Sequence, residues 1–229
     1  MTSHHTRAVD ALLRKELRLE LRAPQVVPAM AIFAVMTLVV FHFALQRRSV
    51  EGELAAGVLA VTLLFAAMLG VSRLFVADRE EGGLDAFLLA PVDRTALLVA
   101  KALALFGFLA LLELVLVPAF AILLLAPGLD GAAIARLVVL LALADAGIAI
   151  VGTLVGAIAV QTRARDLLVP LLALPLLLPV VIGLARASTP LFLQPVAGGL
   201  PPRWLAVLGL YDLIFGLLAY GLFDYLVED

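Results

Sequence analysis

Six long apolar segments restrict the fold of this chain more than any other feature. They cover residues 24–46, 54–77, 96–126, 133–160, 167–187 and 204–226. A bilayer core of about 30 Å needs about 20 apolar residues in a helix, and backbone amides in lipid must be hydrogen-bonded within the protein. The segments are continuously apolar, without the alternation typical of a membrane β-barrel. We therefore predict an all-α, polytopic bundle of six transmembrane helices that forms a single domain over residues 1–229.

Composition supports this prediction and removes several classes of function. Hydrophobic residues make up 64% of the chain and charged residues 15%, against about 25% charged in soluble domains. A net charge of −2 gives no electrostatic basis for binding nucleic acid. The chain has no cysteine, which excludes disulfides and thiolate metal sites. We find no cleavable signal sequence, so the first span is expected to direct insertion into the lipid bilayer.

The distribution of basic residues predicts the orientation of the chain. Eleven of the 16 Lys and Arg residues fall on the side of the membrane that holds the N-terminus. Because basic residues favour the cytoplasmic side, we expect both termini to be cytoplasmic. On that side, residues 11–22 predict an amphipathic helix that Pro24 ends, lying along the membrane surface near anionic headgroups. The third apolar segment is longer than one span needs, so we expect Lys101 to extend its side chain to the interface.

The loop over residues 78–95 is too structured in sequence to be a simple connector. After a break at Gly82 and Gly83, the spacing of Leu84, Phe87 and Leu88 predicts a short helix with an apolar ridge, which Pro91 ends. Such a helix could rest on lipid, or act as a coupling helix in a groove of a cytosolic partner. The acidic residues that flank this helix disfavour its binding to anionic lipid headgroups and so favour docking on a protein partner. The predicted interface comprises Glu81, Gly82, Leu84, Phe87, Leu88 and Pro91.

Three acidic residues interrupt the apolar segments: Glu113, Asp145 and Asp212. Acids at this depth are costly and usually face the bundle interior or a wet cavity. They are candidates for a proton or substrate path, or for polar contacts that set the register of neighbouring helices. We favour the structural interpretation because no Lys or Arg lies near the midplane to complete a relay.

Other intramembrane residues give weaker signals. His42 could ligate haem iron, but a lone histidine is more often bonded to water or backbone. Pro170, Pro175 and Pro179 predict kinks in the fifth span. Gly152 and Gly156 predict a close helix–helix contact, within the chain or between the two copies of a homodimer.

The chain carries no nucleotide-binding or catalytic motif. It has no P-loop, no His-Glu-x-x-His, no nucleophile elbow and no dinucleotide fingerprint. We therefore predict no catalytic, cofactor-binding or metal-binding residue in this chain. A loop suited to a cytosolic partner, on a chain without an ATPase, points to a separate ATPase subunit.

Several stretches together resemble the CcmB family, the haem exporter protein B of cytochrome c biogenesis. The central loop with its Glu-Gly-Gly-Leu-Asp-Ala-Phe-Leu-Leu-Ala-Pro run is the most specific of them. The others are the amphipathic start, the Arg-Ala-Arg-Asp run before the proline-rich helix, and the last helix from Trp204 through Tyr211 and Asp212. Gly83, where a serine is expected, and the polar residues 92–94 depart from the family pattern.

The resemblance implies a membrane subunit of an ABC-type complex in the bacterial inner membrane. It implies ATP hydrolysis by the ATPase CcmA, further membrane subunits CcmC and CcmD, and haem as the substrate passed towards the periplasmic chaperone CcmE. Three alternatives stay open: an ABC permease for a lipid or drug, a proton-coupled secondary transporter that uses Glu113 and Asp145, and an intramembrane enzyme.

Overall fold

The computed structural model describes residues 2–45, 49–76, 94–125, 129–160, 162, 164–193 and 199–226. Within these ranges the chain forms seven α-helices and no strand. The helices are α1 Thr2–Arg22, α2 Val26–Ala44, α3 Gly52–Arg73, α4 Arg94–Leu124, α5 Gly131–Val160, α6 Arg165–Ser188 and α7 Pro202–Leu226. A 3₁₀ turn, Thr189–Phe192, follows α6.

Helices α2 to α7 are long and apolar enough to cross a membrane, so the predicted all-α bundle with six spans is confirmed. The chain is a multi-pass membrane protein. Alternate connections between spans lie at opposite ends of such a bundle. We call the end that holds α1 and the α3–α4 connection the α1 end, and the other the opposite end.

Five of the six spanning helices begin two residues before the predicted apolar segments, because helical hydrogen bonding extends into the flanking residues. Helix α2 begins two residues after the start of the first segment. Helix α7 begins at Pro202, since the first helical position needs no N–H donor, and the Trp204 N–H donates to the Pro201 carbonyl at 3.1 Å. Helix α5 begins at Gly131 because the Asp130 carboxylate accepts the Ala133 N–H at 2.7 Å.

Helix α6 stays helical from Arg165 to Ser188 although it contains Pro170, Pro175 and Pro179. Each proline removes one backbone donor, and neighbouring helices and side chains can satisfy the carbonyls that this frees. The prolines therefore interrupt single hydrogen bonds without ending the span.

Helices α3 and α5 form the centre of the bundle. Helix α3 contacts α2, α4, α5 and α6, and α5 contacts α4, α6 and α7 as well. In the most apolar stretch of each helix, 72% of the α3 residues and 67% of the α5 residues are buried, against 17% in α2 and in α7. Helices α2 and α7 are thus peripheral, and in a membrane their exposed apolar faces meet lipid or another subunit.

The glycines of α5 allow the two central helices to approach closely. A Cβ atom on Gly152 would lie 2.6 Å from Val71 Cγ2, and one on Gly156 would lie 3.0 Å from Phe75 Cδ2. Both partners belong to the carboxyl end of α3 and the two residues after it. The predicted close helix–helix contact is therefore confirmed, and it lies within the chain.

Helix α1 is the predicted amphipathic helix, although it begins at Thr2 and not near Ala11. It packs along α4, with Leu12 against the core and Leu17 Cδ2 lying 3.9 Å from where a Gly107 Cβ would be. The apolar side of α1 thus contacts protein. Its outer face is exposed and carries mainly basic side chains: Arg7, Arg14, Lys15, Arg18 and Arg22.

Candidate functional site

The predicted coupling interface falls outside the described residues. This applies to all six of its positions: Glu81, Gly82, Leu84, Phe87, Leu88 and Pro91. The structure does describe both segments that flank it, up to Val76 on one side and from Arg94 on the other. Contacts between these two flanks and α1 hold both in place.

The flanks are well buried for residues so close to a connection. Leu74 and Phe75, just after α3, are 5% and 4% exposed, and Thr95 to Leu98, at the start of α4, are all buried. Both flanks are therefore part of the packed bundle.

Lys101 connects the two flanks to each other. Its side chain is 2% exposed, and the Nζ atom donates to the Leu74 carbonyl at 2.9 Å. Carbonyls at a helix carboxyl end lack helical donors and carry partial negative charge, so a cation is stabilised there. The same Nζ lies 5.3 Å from the centre of the Phe75 ring, within cation–π range.

Lys101 also pairs with α1. Its Nζ lies 2.9 Å from Glu16 Oε1, and the Glu16 side chain is only 14% exposed. The prediction that Lys101 extends to the membrane interface is therefore wrong. Its cation is neutralised inside the protein by a residue 85 positions earlier, a contact that the local pattern around Lys101 does not reveal.

Glu20, one turn after Glu16, joins α1 to the start of α2. Its carboxylate accepts the N–H groups of Gln25, Val26 and Val27 at 3.1, 3.2 and 2.8 Å. A carboxylate at a helix amino end satisfies free N–H groups and interacts favourably with the helix dipole. Both inner acids of α1 are thus used to hold neighbouring elements.

A cleft of about 270 Å³ adjoins these contacts. Its walls come from α1, the start of α2, the end of α3 and α4, and they include Glu16, Glu20, Arg73, Val76 and Phe108. The cleft lies at the α1 end and carries charges of both signs on mainly apolar walls.

Two of the intramembrane acids meet. Glu113 of α4 and Asp145 of α5 lie close enough for their carboxyl groups to interact directly. Asp145 is 1% exposed, and neither of its oxygens, nor Glu113 Oε1, has a donor among the described residues. Two carboxyl groups in such contact can share a proton in a hydrogen bond, which would join α4 to α5 at this level.

Asp212 lies on α7 and faces a different residue of α5. Its Oδ1 is 2.7 Å from where a Cβ on Gly147 would be, so the absence of a side chain at Gly147 makes room for the carboxyl group. This Oδ1 has no hydrogen-bond donor among the described residues. The structure thus joins Glu113 to Asp145 and places Asp212 separately, at the contact of α7 with α5.

Sequence reasoning missed the role of Tyr211. Its hydroxyl donates to the Leu176 carbonyl of α6 at 2.6 Å, and its ring stacks on Phe215 with centroids 4.4 Å apart. The Leu176 carbonyl is not one of those that the prolines free, so the Tyr211 hydroxyl adds a bond to a carbonyl within the helix. No pattern around Tyr211 in the sequence indicated this contact.

His42 bonds to the backbone, as the more common alternative predicts. Its Nδ1 lies 2.5 Å from the Leu123 carbonyl, which joins α2 to the end of α4. Across the part of the chain that the structure describes, no group of three or more His, Asp or Glu residues is placed to hold a metal ion.

Comparison with known proteins places these features in a family. The family model described as CcmB protein matches residues 7–210. The chain is similar to heme exporter protein B of Bradyrhizobium diazoefficiens, with 30% identity over 91% of this chain and 93% of the relative. For the proteins of the same name from Rhodobacter capsulatus and Pseudomonas aeruginosa, identity is 36% and 32%. These two matches cover 75% and 86% of this chain, and 78% and 87% of the relatives.

The family match includes α1 from residue 7 onward, the α3–α4 connection, and the five spans α2 to α6 in full. It therefore covers the elements around Lys101 and the meeting acids of α4 and α5. The resemblance noted from the sequence is confirmed: the chain belongs to the CcmB protein family.

Proposed function

We propose that this chain is the membrane subunit of an ABC-type haem exporter that serves cytochrome c maturation. The observation that carries the proposal is the family match over residues 7–210, together with relatives named heme exporter protein B that align along most of the chain. The six spans form the membrane part of such a transporter. Haem is the substrate of the complex, and ATP hydrolysis takes place in a separate subunit.

The ATPase subunit, CcmA in the family's nomenclature, docks on the loop over residues 78–95. Support comes from the apolar ridge of Leu84, Phe87 and Leu88, and from the buried flanks on either side of this segment. An apolar helix face that fits a partner's groove is a common way to bind a helix. The remaining partners are the membrane subunits CcmC and CcmD and the haem chaperone CcmE, with a second copy of this chain as a further neighbour.

The complex lies in the bacterial inner membrane with both termini of this chain in the cytoplasm. The excess of Lys and Arg on the N-terminal side supports this orientation. Because the chain lacks cysteine, single cysteines can report it directly. A cysteine at Arg18 should be protected from a membrane-impermeant maleimide in intact spheroplasts, and one at Glu53 should react. The reverse result would contradict the orientation.

Copurification tests ATPase docking. Replacing Leu84, Phe87 and Leu88 together with Ala should abolish association of the ATPase, because the ridge supplies the apolar contact. The matched control replaces Leu210, Leu213 and Leu217, three exposed leucines of the peripheral α7, with Ala. Loss in the loop variant alone supports the proposal, and undiminished association in the loop variant contradicts the coupling helix.

Haem transfer tests the substrate. Membrane vesicles that contain the assembled complex should load haem onto the chaperone only when ATP is hydrolysed. ATP-driven transport of a lipid or drug without haem loading would instead favour a different ABC permease.

A second candidate function, a proton-coupled transporter, is favoured by one observation: Glu113 and Asp145 meet inside the bundle. Carboxyl groups within spans often carry protons in transporters. Uptake driven by a pH gradient in liposomes without any ATPase, abolished by Glu113→Gln, would establish this alternative. Absence of such uptake, with ATP-dependent haem loading retained in Glu113→Gln, would leave the acids a structural role.

A further inference from the structure

A buried ion pair holds the N-terminal helix to both flanks of the α3–α4 connection. We propose that Glu16 and Lys101 form a latch that transmits displacement of residues 77–93 through α1 to the amino end of α2. The proposal rests on the proposed function, because it takes those residues as the docking segment of the ATPase. Glu16 and Lys101 are therefore positioning residues, which act through the segment and do not touch haem or ATP.

Three elements of the fold converge on one atom, the Nζ of Lys101. Lys101 Nζ of α4 lies 2.9 Å from the Leu74 carbonyl at the end of α3 and 2.9 Å from Glu16 Oε1 of α1. The two flanks of the segment are thus tied to each other and to α1 by the same ammonium group. A displacement of either flank must move this group or break its contacts.

Both side chains of this ion pair are largely buried. The side chains of Lys101 and Glu16 are 2% and 14% exposed, so water does not replace a lost partner at low cost. Separating a buried pair leaves a charge without compensation, which makes the link stiff compared with an ion pair in water. Movement of the flanks and of α1 as one body is the less costly response.

Glu20 connects α1 to a membrane-spanning helix. Glu20 lies four residues after Glu16, on the same side of α1, and accepts the N–H groups of Gln25, Val26 and Val27. Helix α1 therefore has two carboxylates with different partners. Glu16 pairs with the ammonium group that ties the flanks, and Glu20 accepts N–H groups at the start of α2. Leu17, between the two carboxylates, and Leu12, one turn before them, keep α1 packed on the protein.

Another pair on α1 shows the contrast. Asp10 and Arg14 also form an ion pair, with 2.9 Å between Oδ1 and Nε, but their side chains are 56% and 66% exposed. This pair joins two residues of α1 only. It therefore serves as a matched control, with the same distance and charges but without burial or a connection to another helix.

The first experiment measures α1 docking in the complete chain without an ATPase. Cysteines at Leu17 and Gly107 place two thiols across the α1–α4 contact of a chain that has no other cysteine. A short bis-maleimide should cross-link them rapidly. Adding Glu16→Gln or Lys101→Met should slow cross-linking by about tenfold or more, whereas Asp10→Asn should leave the rate unchanged. An unchanged rate in Glu16→Gln would overturn the latch.

The second experiment measures coupling in the assembled complex. The readout is haem loaded onto the chaperone per ATP hydrolysed, for complexes that still contain the ATPase. A structural role alone would lower the yield of complex and leave this ratio unchanged. The latch predicts a ratio about tenfold lower in Glu16→Gln, with the double variant Glu16→Gln/Lys101→Met no worse than Lys101→Met alone, because both changes break one link. Lys101→Arg should keep most of the coupling.

The two experiments separate the two proposals. Failure of the unaltered chain to bind any ATPase would contradict the proposed function, and the cross-linking rate would still decide whether the pair holds α1. Normal binding with an unchanged ratio in Glu16→Gln would overturn transmission through the latch and leave the proposed function intact.

Discussion

The two ends of the bundle are each bridged by an ion pair between distant parts of the chain, but the pairs differ in burial. At the α1 end, Glu16 and Lys101 are 14% and 2% exposed. At the opposite end, Glu53 and Arg186 lie 2.7 Å apart and are 74% and 54% exposed. Similar distances thus describe a stiff link at one end and a weak one at the other, because water competes only for the exposed pair.

Close contacts at glycines occur towards both ends of the bundle. Helices α3 and α5 approach through Gly152 and Gly156 at the level of Val71 and Phe75, near the α1 end. At the opposite end, single hydrogen bonds join the connections: the Val50 N–H donates to the Leu124 carbonyl at 2.8 Å, and His42 bonds to the Leu123 carbonyl. For an ATPase that docks at the α1 end, it is the buried ion pair that places a stiff link where force is applied.

The largest expected effect is that of Lys101→Met. It leaves Glu16 buried without its cation, so we expect the free energy of unfolding to fall by about 3–5 kcal/mol. Equilibrium unfolding in mild detergent would measure this, with Asp10→Asn as the control on α1. A loss below about 1 kcal/mol would place this pair with the exposed ones and remove the contrast between the two ends.

The next effect concerns helix packing. Gly152→Ala puts a methyl group 2.6 Å from Val71 Cγ2 and 3.0 Å from Leu105 Cδ2, and we expect a loss of about 1–3 kcal/mol in the same measurement.

The control for this packing variant is Gly209→Ala in the peripheral α7. A Cβ there would meet nothing within 4 Å, so a gain of up to about 1 kcal/mol from helix propensity is expected. Equal effects of the two substitutions would show that the α3–α5 contact adapts without cost.

A smaller effect is expected from Tyr211→Phe. It removes the 2.6 Å hydrogen bond to Leu176 but keeps the ring that stacks on Phe215. Hydrogen bonds between spans contribute about 0.6 kcal/mol on average, so we expect a loss of that size. Tyr220→Phe, on the exposed side of α7, is the control. A loss above about 2 kcal/mol would make the α6–α7 contact as important for stability as the α3–α5 contact.

The smallest effect is that of Glu53→Gln at the opposite end. Its pair with Arg186 is exposed, so we expect a change of about 0–1 kcal/mol that shrinks further in 1 M salt. Unfolding of the variant and the unaltered chain at low and high salt would measure it. A salt-independent loss comparable to that of Lys101→Met would show that both ends are equally stiff.

Much of the architecture was predictable because it depends on local patterns. Six apolar segments require six helices in lipid, and the alternation of leucines with charges around Leu12 and Leu17 predicts an amphipathic helix. The Gly152 and Gly156 spacing predicted a close contact but not its partner. The family resemblance rested on several stretches, of which loop residues 81–91 were the most specific, and the comparisons confirmed it.

The contacts of single polar residues were not predictable in the same way. Lys101 lies near the start of an apolar segment. The local sequence there is compatible both with burial against Glu16 and with extension to the interface. Likewise, Glu113 and Asp145 lie on successive spans, and only the rotation of α4 and α5 about their axes decides that their carboxyl groups meet.

The sequence by itself determined that this protein spans the membrane six times, because no backbone in lipid can leave its amides unpaired. It also determined the family, through short stretches spread along most of the chain. Tertiary structure alone decided which charges compensate each other, since helix packing brings Glu16 to Lys101 across 85 positions. Burial at that contact, which no local pattern encodes, makes it a candidate for transmitting force.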